Sequence, residues 1–172
     1  MADIDGVDHV DNELDALEGV ASGYAEKLKE CIYRTIVQRL AASGRMEAWL
    51  PRVNGELQEA VQAVMDCDAA LRTATLAAAT ALDLPSESTL REVASAAPQP
   101  YDYILRECRD DLLRLITQLG DTQAENRRLL ASQVLAYDSA MAALGIGASA
   151  GYDHTGATAL RTDRSLLIDT RS

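Results

Sequence analysis

Apolar positions near the start of the chain recur at alternating fours and threes: Val10, Leu14, Leu17, Ala21, Tyr24, Leu28, Cys31 and Thr35, with Val20, Ile32 and Ile36 widening the stripe. A repeat of this kind puts one side chain after another on the same face of a helix. It predicts a first helix over 11–42, behind a flexible N-terminus at 1–9. Ser43, Gly44 and Arg45 then read as a break, because serine and glycine both weaken a helix interior. A second stripe runs through Val53, Leu57, Ala60, Val64, Cys67, Leu71, Ala74 and Ala78, and predicts a helix over 46–83. Its start lies near Met46 or near Pro51, since proline is tolerated in a first turn. Thr73 to Leu82 is almost all small residues, which lets a neighbouring helix approach closely.

Pro85 ends the second stripe. Thr89 to Glu92, reading TLRE, has the spacing of a capping box and opens a short helix over 89–97. The prolines at 98 and 100 exclude a helix interior between them. The last and longest helix is predicted over 101–144, with Gly120 as a place where it can kink. Beyond it, 145–172 keeps no periodicity and is rich in Gly, Ser, Thr, Asp and Arg, as a flexible tail would be. The whole is an all-α chain: an elongated antiparallel bundle of three long helices and one short one, its seams repeating every 3.5 residues as in a coiled coil.

One segment departs from the pattern. Leu105, Cys108, Leu112, Leu115 and Leu119 set a leucine-rich stripe on the last helix, and the next positions on it are Thr122 and Asn126, with Gln123 one residue off. Apolar character then returns at Leu129, Leu130, Val134, Tyr137 and Met141. A helix that carries hydroxyl and amide groups in the middle of its seam gives up stability and gains a fixed register.

Composition narrows what such a bundle does. Phenylalanine is absent and only 4% of residues are aromatic, so the core has to be aliphatic side chains and alanine. The net charge of −11 opposes nucleic acid and anionic membrane surfaces. No apolar run reaches the eighteen or so residues of a membrane span, and the acidic first residues do not resemble a secretory leader; a cytoplasmic protein is expected. Cys31, Cys67 and Cys108 are odd in number and sit on helical stripes, which reads as buried thiols in a reducing compartment. Neither His9 nor His154 has a second ligand at useful spacing, and there is no phosphate loop. No metal, no cofactor and no enzymatic activity are expected. Binding remains, and the strip from Leu129 to Met141 is the place for it, as a surface that takes the apolar face of a partner helix.

The order of these features resembles the FlgN family of flagellar type III export chaperones. That family has a long final helix with an N-x-x-N-x-x-L-L pattern, followed by a tail carrying Tyr, three residues and Gly. Here QAENRRLL puts Gln123 at the first asparagine, Asn126 at the second, and Leu129 and Leu130 at the leucine pair; YDHTG supplies Tyr152 and Gly156. Upstream, Arg72, Leu82, Leu84, Pro85, Leu90, Arg91 and Glu92 match the family's helix end, Leu-x-Leu-Pro turn and short helix. Two departures stand out: glutamine at position 123 and a tail that continues through 157–172.

The resemblance implies a chaperone that binds the C-terminal helical segments of the hook–filament junction proteins, of FlgK and FlgL type, and keeps them from assembling early. It implies delivery to the export gate component FlhA, with Tyr152 as the docking residue. Gln123 and Asn126 would then set the client's register, while Leu129, Leu130, Val134, Tyr137 and Met141 supply contact area. A coiled-coil scaffold or adaptor unrelated to secretion shares the heptads, the acidity and the lack of catalytic residues, and is the alternative.

Overall fold

A computed structural model of the chain describes residues 4–143. The predicted tail, with Tyr152, and the end of the last predicted helix at Leu144 lie outside the described residues. Four α-helices follow one another: α1, Ile4–Ser43; α2, Leu50–Ala81; α3, Leu90–Ala96; and α4, Tyr101–Ala143, with a single 3-10 turn at Glu47–Trp49 before α2. Among the described residues no helix is long and apolar enough to cross a membrane.

The helices come close to their predicted bounds, and the differences have local causes. α1 begins at Ile4, where an irregular stretch to residue 9 was expected; an acidic start suits the positive end of a helix dipole. Its far end closes at Ser43, but the left-handed residue of the turn is Arg45, at φ 54°, not Gly44. Met46 N–H donates to the Ala41 carbonyl at 3.0 Å, the reversed hydrogen bond that terminates many helices. At Gly44 a Cβ would lie 3.1 Å from the Leu40 carbonyl oxygen, a tight contact that the glycine avoids. α2 ends the same way, with Asp83 at φ 56° and Leu84 N–H donating to Ala79 at 2.8 Å. The predicted capping box at Thr89 and Glu92 is present in full. α4 runs through Gly120 without interruption.

Cross-helix bonds give the directions. Arg34 pairs with Glu56 at 2.6 Å and Gln38 donates to Asn54 at 2.8 Å, so α1 and α2 are antiparallel. The Tyr101 hydroxyl donates to Asp15 at 2.6 Å, and Arg39 pairs with Glu125; both pairs are 86 apart in sequence, so α4 runs parallel to α1. The long helices thus go up, down and up, with α3 crossing the lower end and burying Leu90, Val93 and Ala94. α1 packs on both α2 and α4, while α2 and α4 bring no pair of described Cα atoms within 8 Å of each other.

The core follows from the stripes. Leu14, Leu17, Leu28, Leu105 and Leu112 are fully buried, with Ala78 and Ala79 beside them. Threonines on the seam satisfy themselves: Thr35 and Thr75 each donate to the carbonyl four residues back, at 2.8 and 2.7 Å. Burial of this kind contributes about 25 cal/mol for each Å² of apolar surface removed from water.

Leu112→Ala should therefore cost about 2–5 kcal/mol in urea unfolding, whereas Val134→Ala, on the same helix, should stay within about 0.5 kcal/mol. Alkali should expose a second feature of the core. Burial first, then Asp68 and Cys67, push the Tyr24 hydroxyl up to about 12; the hydrogen bond to Asp15, then burial, does the same to Tyr101. Both folded values lie above the ordinary tyrosine value of about 10, so their contribution is complete below that pH and is lost as pH rises toward about 12. Melting temperature should fall through this window, and less steeply in Tyr24→Phe.

Candidate functional site: the upper end of the last helix

Along α4 the face toward α1 changes its chemistry. Leu105, Leu112, Leu115 and Leu119 are buried in the apolar core. One turn further, Thr122 turns its hydroxyl back to the Gln118 carbonyl at 2.7 Å. Asn126 is only 5% exposed, and its amide Nδ2 donates to Oε1 of Gln38 on α1. Gln38 in turn donates to Asn54 on α2, so three amides link all three long helices in a row. Gln133 completes the series by donating to the Ala42 carbonyl at 3.2 Å, which also accepts from the Arg45 N–H in the turn that closes α1.

This placement changes the reading of Asn126. Expected to meet a client, it meets the protein's own first helix. Its amide fixes the register of α4 on α1, flanked by the Arg39–Glu125 ion pair one residue away on each helix. The fit is incomplete, because Asn126 Oδ1 is buried with no hydrogen-bond partner among the described residues. A buried acceptor left unpaired costs about 1–3 kcal/mol. Gln123 is half-buried on the neighbouring face, and Leu129 is half-buried beside the seam.

The remaining predicted contact residues are brought together on a surface that no other described element covers. Gln133 sits level with the last turn of α1, yet α4 continues to Ala143, about 15 Å further at 1.5 Å per residue. Leu130, Val134 and Tyr137 are 36%, 45% and 64% exposed, and Met141 is half-buried. With a spacing of four, three and four they continue the stripe from Asn126, four residues before Leu130, and α4 carries them past the end of α1. Tyr152 lies outside the described residues.

Several residues at this end were not singled out from the sequence. Leu40, Met46 and Trp49, near the α1–α2 turn, and Leu135 on α4 are all exposed. The tryptophan stands alone in the chain, within WLP, and a turn was expected there, so its position at this end was readable. Gln38 also had a signal, as an amide on the continuing α1 stripe after Thr35. Its pairing with Asn126 had none, because 88 residues separate them in the chain.

The thiols show a different environment. Cys31 is buried, and burial pushes its thiol up to about 11. Burial, then Glu18, also raises the Cys108 thiol. Both therefore stay protonated and weakly nucleophilic at neutral pH. Among the described residues no group of three or more His, Cys, Asp or Glu side chains is placed to hold a metal ion.

Compared with models of protein families, with curated proteins and with solved structures, the chain matches none.

Removing Asn126 and removing its partner should have opposite effects. Asn126→Leu deletes the unpaired buried oxygen and extends the leucine seam, so it should leave the melting temperature unchanged or raise it. Gln38→Ala strands the Asn126 donor and should cost about 1–3 kcal/mol. A destabilisation by Asn126→Leu as large as that by Gln38→Ala would show that the amide row is a net source of stability.

Proposed function

We propose that the protein is a cytoplasmic export chaperone of the FlgN type, which holds the C-terminal helical segments of hook–filament junction proteins before assembly and brings them to the type III export gate. The observation that carries this reading is the seam of Leu130, Val134, Tyr137 and Met141, which no other described element covers. Its chemistry is that of half a coiled coil. Segments that polymerise through helices expose the matching half until they assemble, and a helix that outruns its own bundle gives them a temporary partner. The mechanism needs no nucleotide and no bond-making step.

The QAENRRLL motif divides its labour in this reading. Asn126 anchors α4 to α1, and the leucine pair begins the projecting surface. Register along the client is then set by the order of Leu130, Val134 and Tyr137, with Gln123 and Leu129 at the margin where the bundle ends. Docking on FlhA falls to Tyr152, an aromatic side chain of the kind that anchors peptides.

Calorimetric titration with the C-terminal segments of both junction proteins, and an unrelated amphipathic helix as control, tests the reading directly. Stoichiometric binding of the junction segments alone is expected. Val134→Asp should weaken it at least about tenfold, with no matching loss of thermal stability, since that side chain supports no core. Binding of neither junction segment, with the protein folded and helical, would remove the chaperone reading and leave the acidic coiled-coil adaptor.

A further inference from the structure

The charges around the projecting strip do not follow those of the rest of the molecule. The chain carries −11 overall. Between Asn126 and Ala143, however, the charged residues are Arg127, Arg128 and Asp138, two positive against one negative. Elsewhere the arginines are mostly neutralised: Arg34, Arg39, Arg52, Arg72, Arg106 and Arg114 each meet a carboxylate within the structure. Arg127 and Arg128 are exposed and meet none among the described residues. The nearest acid along the helix, Glu125, is already taken by Arg39.

Their positions matter as much as their charge. Arg127 precedes Leu130 by three residues, so it occupies the apolar stripe itself where the strip leaves the bundle. Arg128, one residue on, lies about 100° further round the helix, on the face of the exposed Leu135 and away from the strip. Any helix seated on Leu130, Val134 and Tyr137 has to place something opposite the guanidinium N–H groups of Arg127. Apolar side chains there would strip water from them without return, and cations would be repelled.

We infer that this strip selects an amphipathic helix bearing a carboxylate at the end of its apolar seam, seated against Arg127. The inference rests on the docking surface proposed above and adds the chemistry of its partner. It runs against the expectation from net charge, by which a protein at −11 would favour a basic partner. Over a distance longer than the screening length of about 8 Å at physiological salt, the acids of the lower bundle contribute little at this end.

Two synthetic helical peptides distinguish these outcomes, identical in a leucine seam of four-three spacing and flanked by glutamates in one and lysines in the other. Each is titrated into the full chain by calorimetry at about 50 mM and about 500 mM salt. The glutamate peptide is expected to bind about fivefold more tightly at low salt, with the gap closing at high salt. Arg127→Glu should reverse the preference and Arg128→Glu, on another face, should leave it, while the helical circular dichroism and the melting temperature of both stay as they are. Equal binding, tighter binding of the lysine peptide, or a preference untouched by Arg127→Glu overturns the charge assignment and leaves the docking surface standing. Binding of neither peptide overturns the surface and the inference together.

Discussion

The buried stripe of α1 is the surface on which the rest of the molecule is laid. α2 packs on it from one side and α4 from the other, and those two helices do not approach each other closely along the described chain. Leu14, Leu17, Leu28 and Cys31 therefore serve two partners at once, which is why they are fully buried on a helix that also has an exposed outer face. With no phenylalanine to fill space, close approach has to do what bulk does in other cores. Ala78 and Ala79, buried to the last atom, show how closely the backbones come. Dispersion between close-packed aliphatic groups is small for each pair and large in sum.

The upper part of the bundle depends on that stripe in a different way. There the contact between α1 and α4 passes from leucine to amide, through Asn126 and Gln38, and then to a side chain on a helix-end carbonyl at Gln133. Apolar seams tolerate sliding by a heptad, because one leucine resembles the next. A hydrogen bond between a buried amide and a half-buried one does not, and it places α4 at one height on α1. That height decides how much of α4 extends past the end of the bundle. The register bond and the projecting strip are thus parts of one arrangement, and the polar residues in the seam place the apolar residues outside it.

Such an arrangement also grades stability along α4. Its lower half is held by buried leucines, its middle by hydrogen bonds and an ion pair open to exchange with water, and its last turns by their own backbone. Regions at the weak end of such a gradient are where binding surfaces are found, since a partner gains most where the protein itself has least to offer. The proposed client and the carboxylate preference of the strip both belong to this end.

Much of the architecture was legible in the chain. The fours and threes of Leu14 to Thr35 and of Val53 to Ala78 specify helices and their inward faces, Pro85 and the TLRE box fix where they stop and restart, and the connections leave the long helices little choice but to alternate in direction. These are local or periodic properties, and a sequence carries them openly. Asn126 was legible as an exception but not as a bond: an amide in a seam is equally consistent with a client, with solvent or with another helix, and only the placement of Gln38 decides among them. The same holds for Leu130, Val134 and Tyr137, whose spacing reads the same whether a neighbour covers them or not. Exposure is a property of what lies opposite. That depends on the relative heights of helices far apart in sequence, which packing and the amide register settle, and which no repeat along a single helix records.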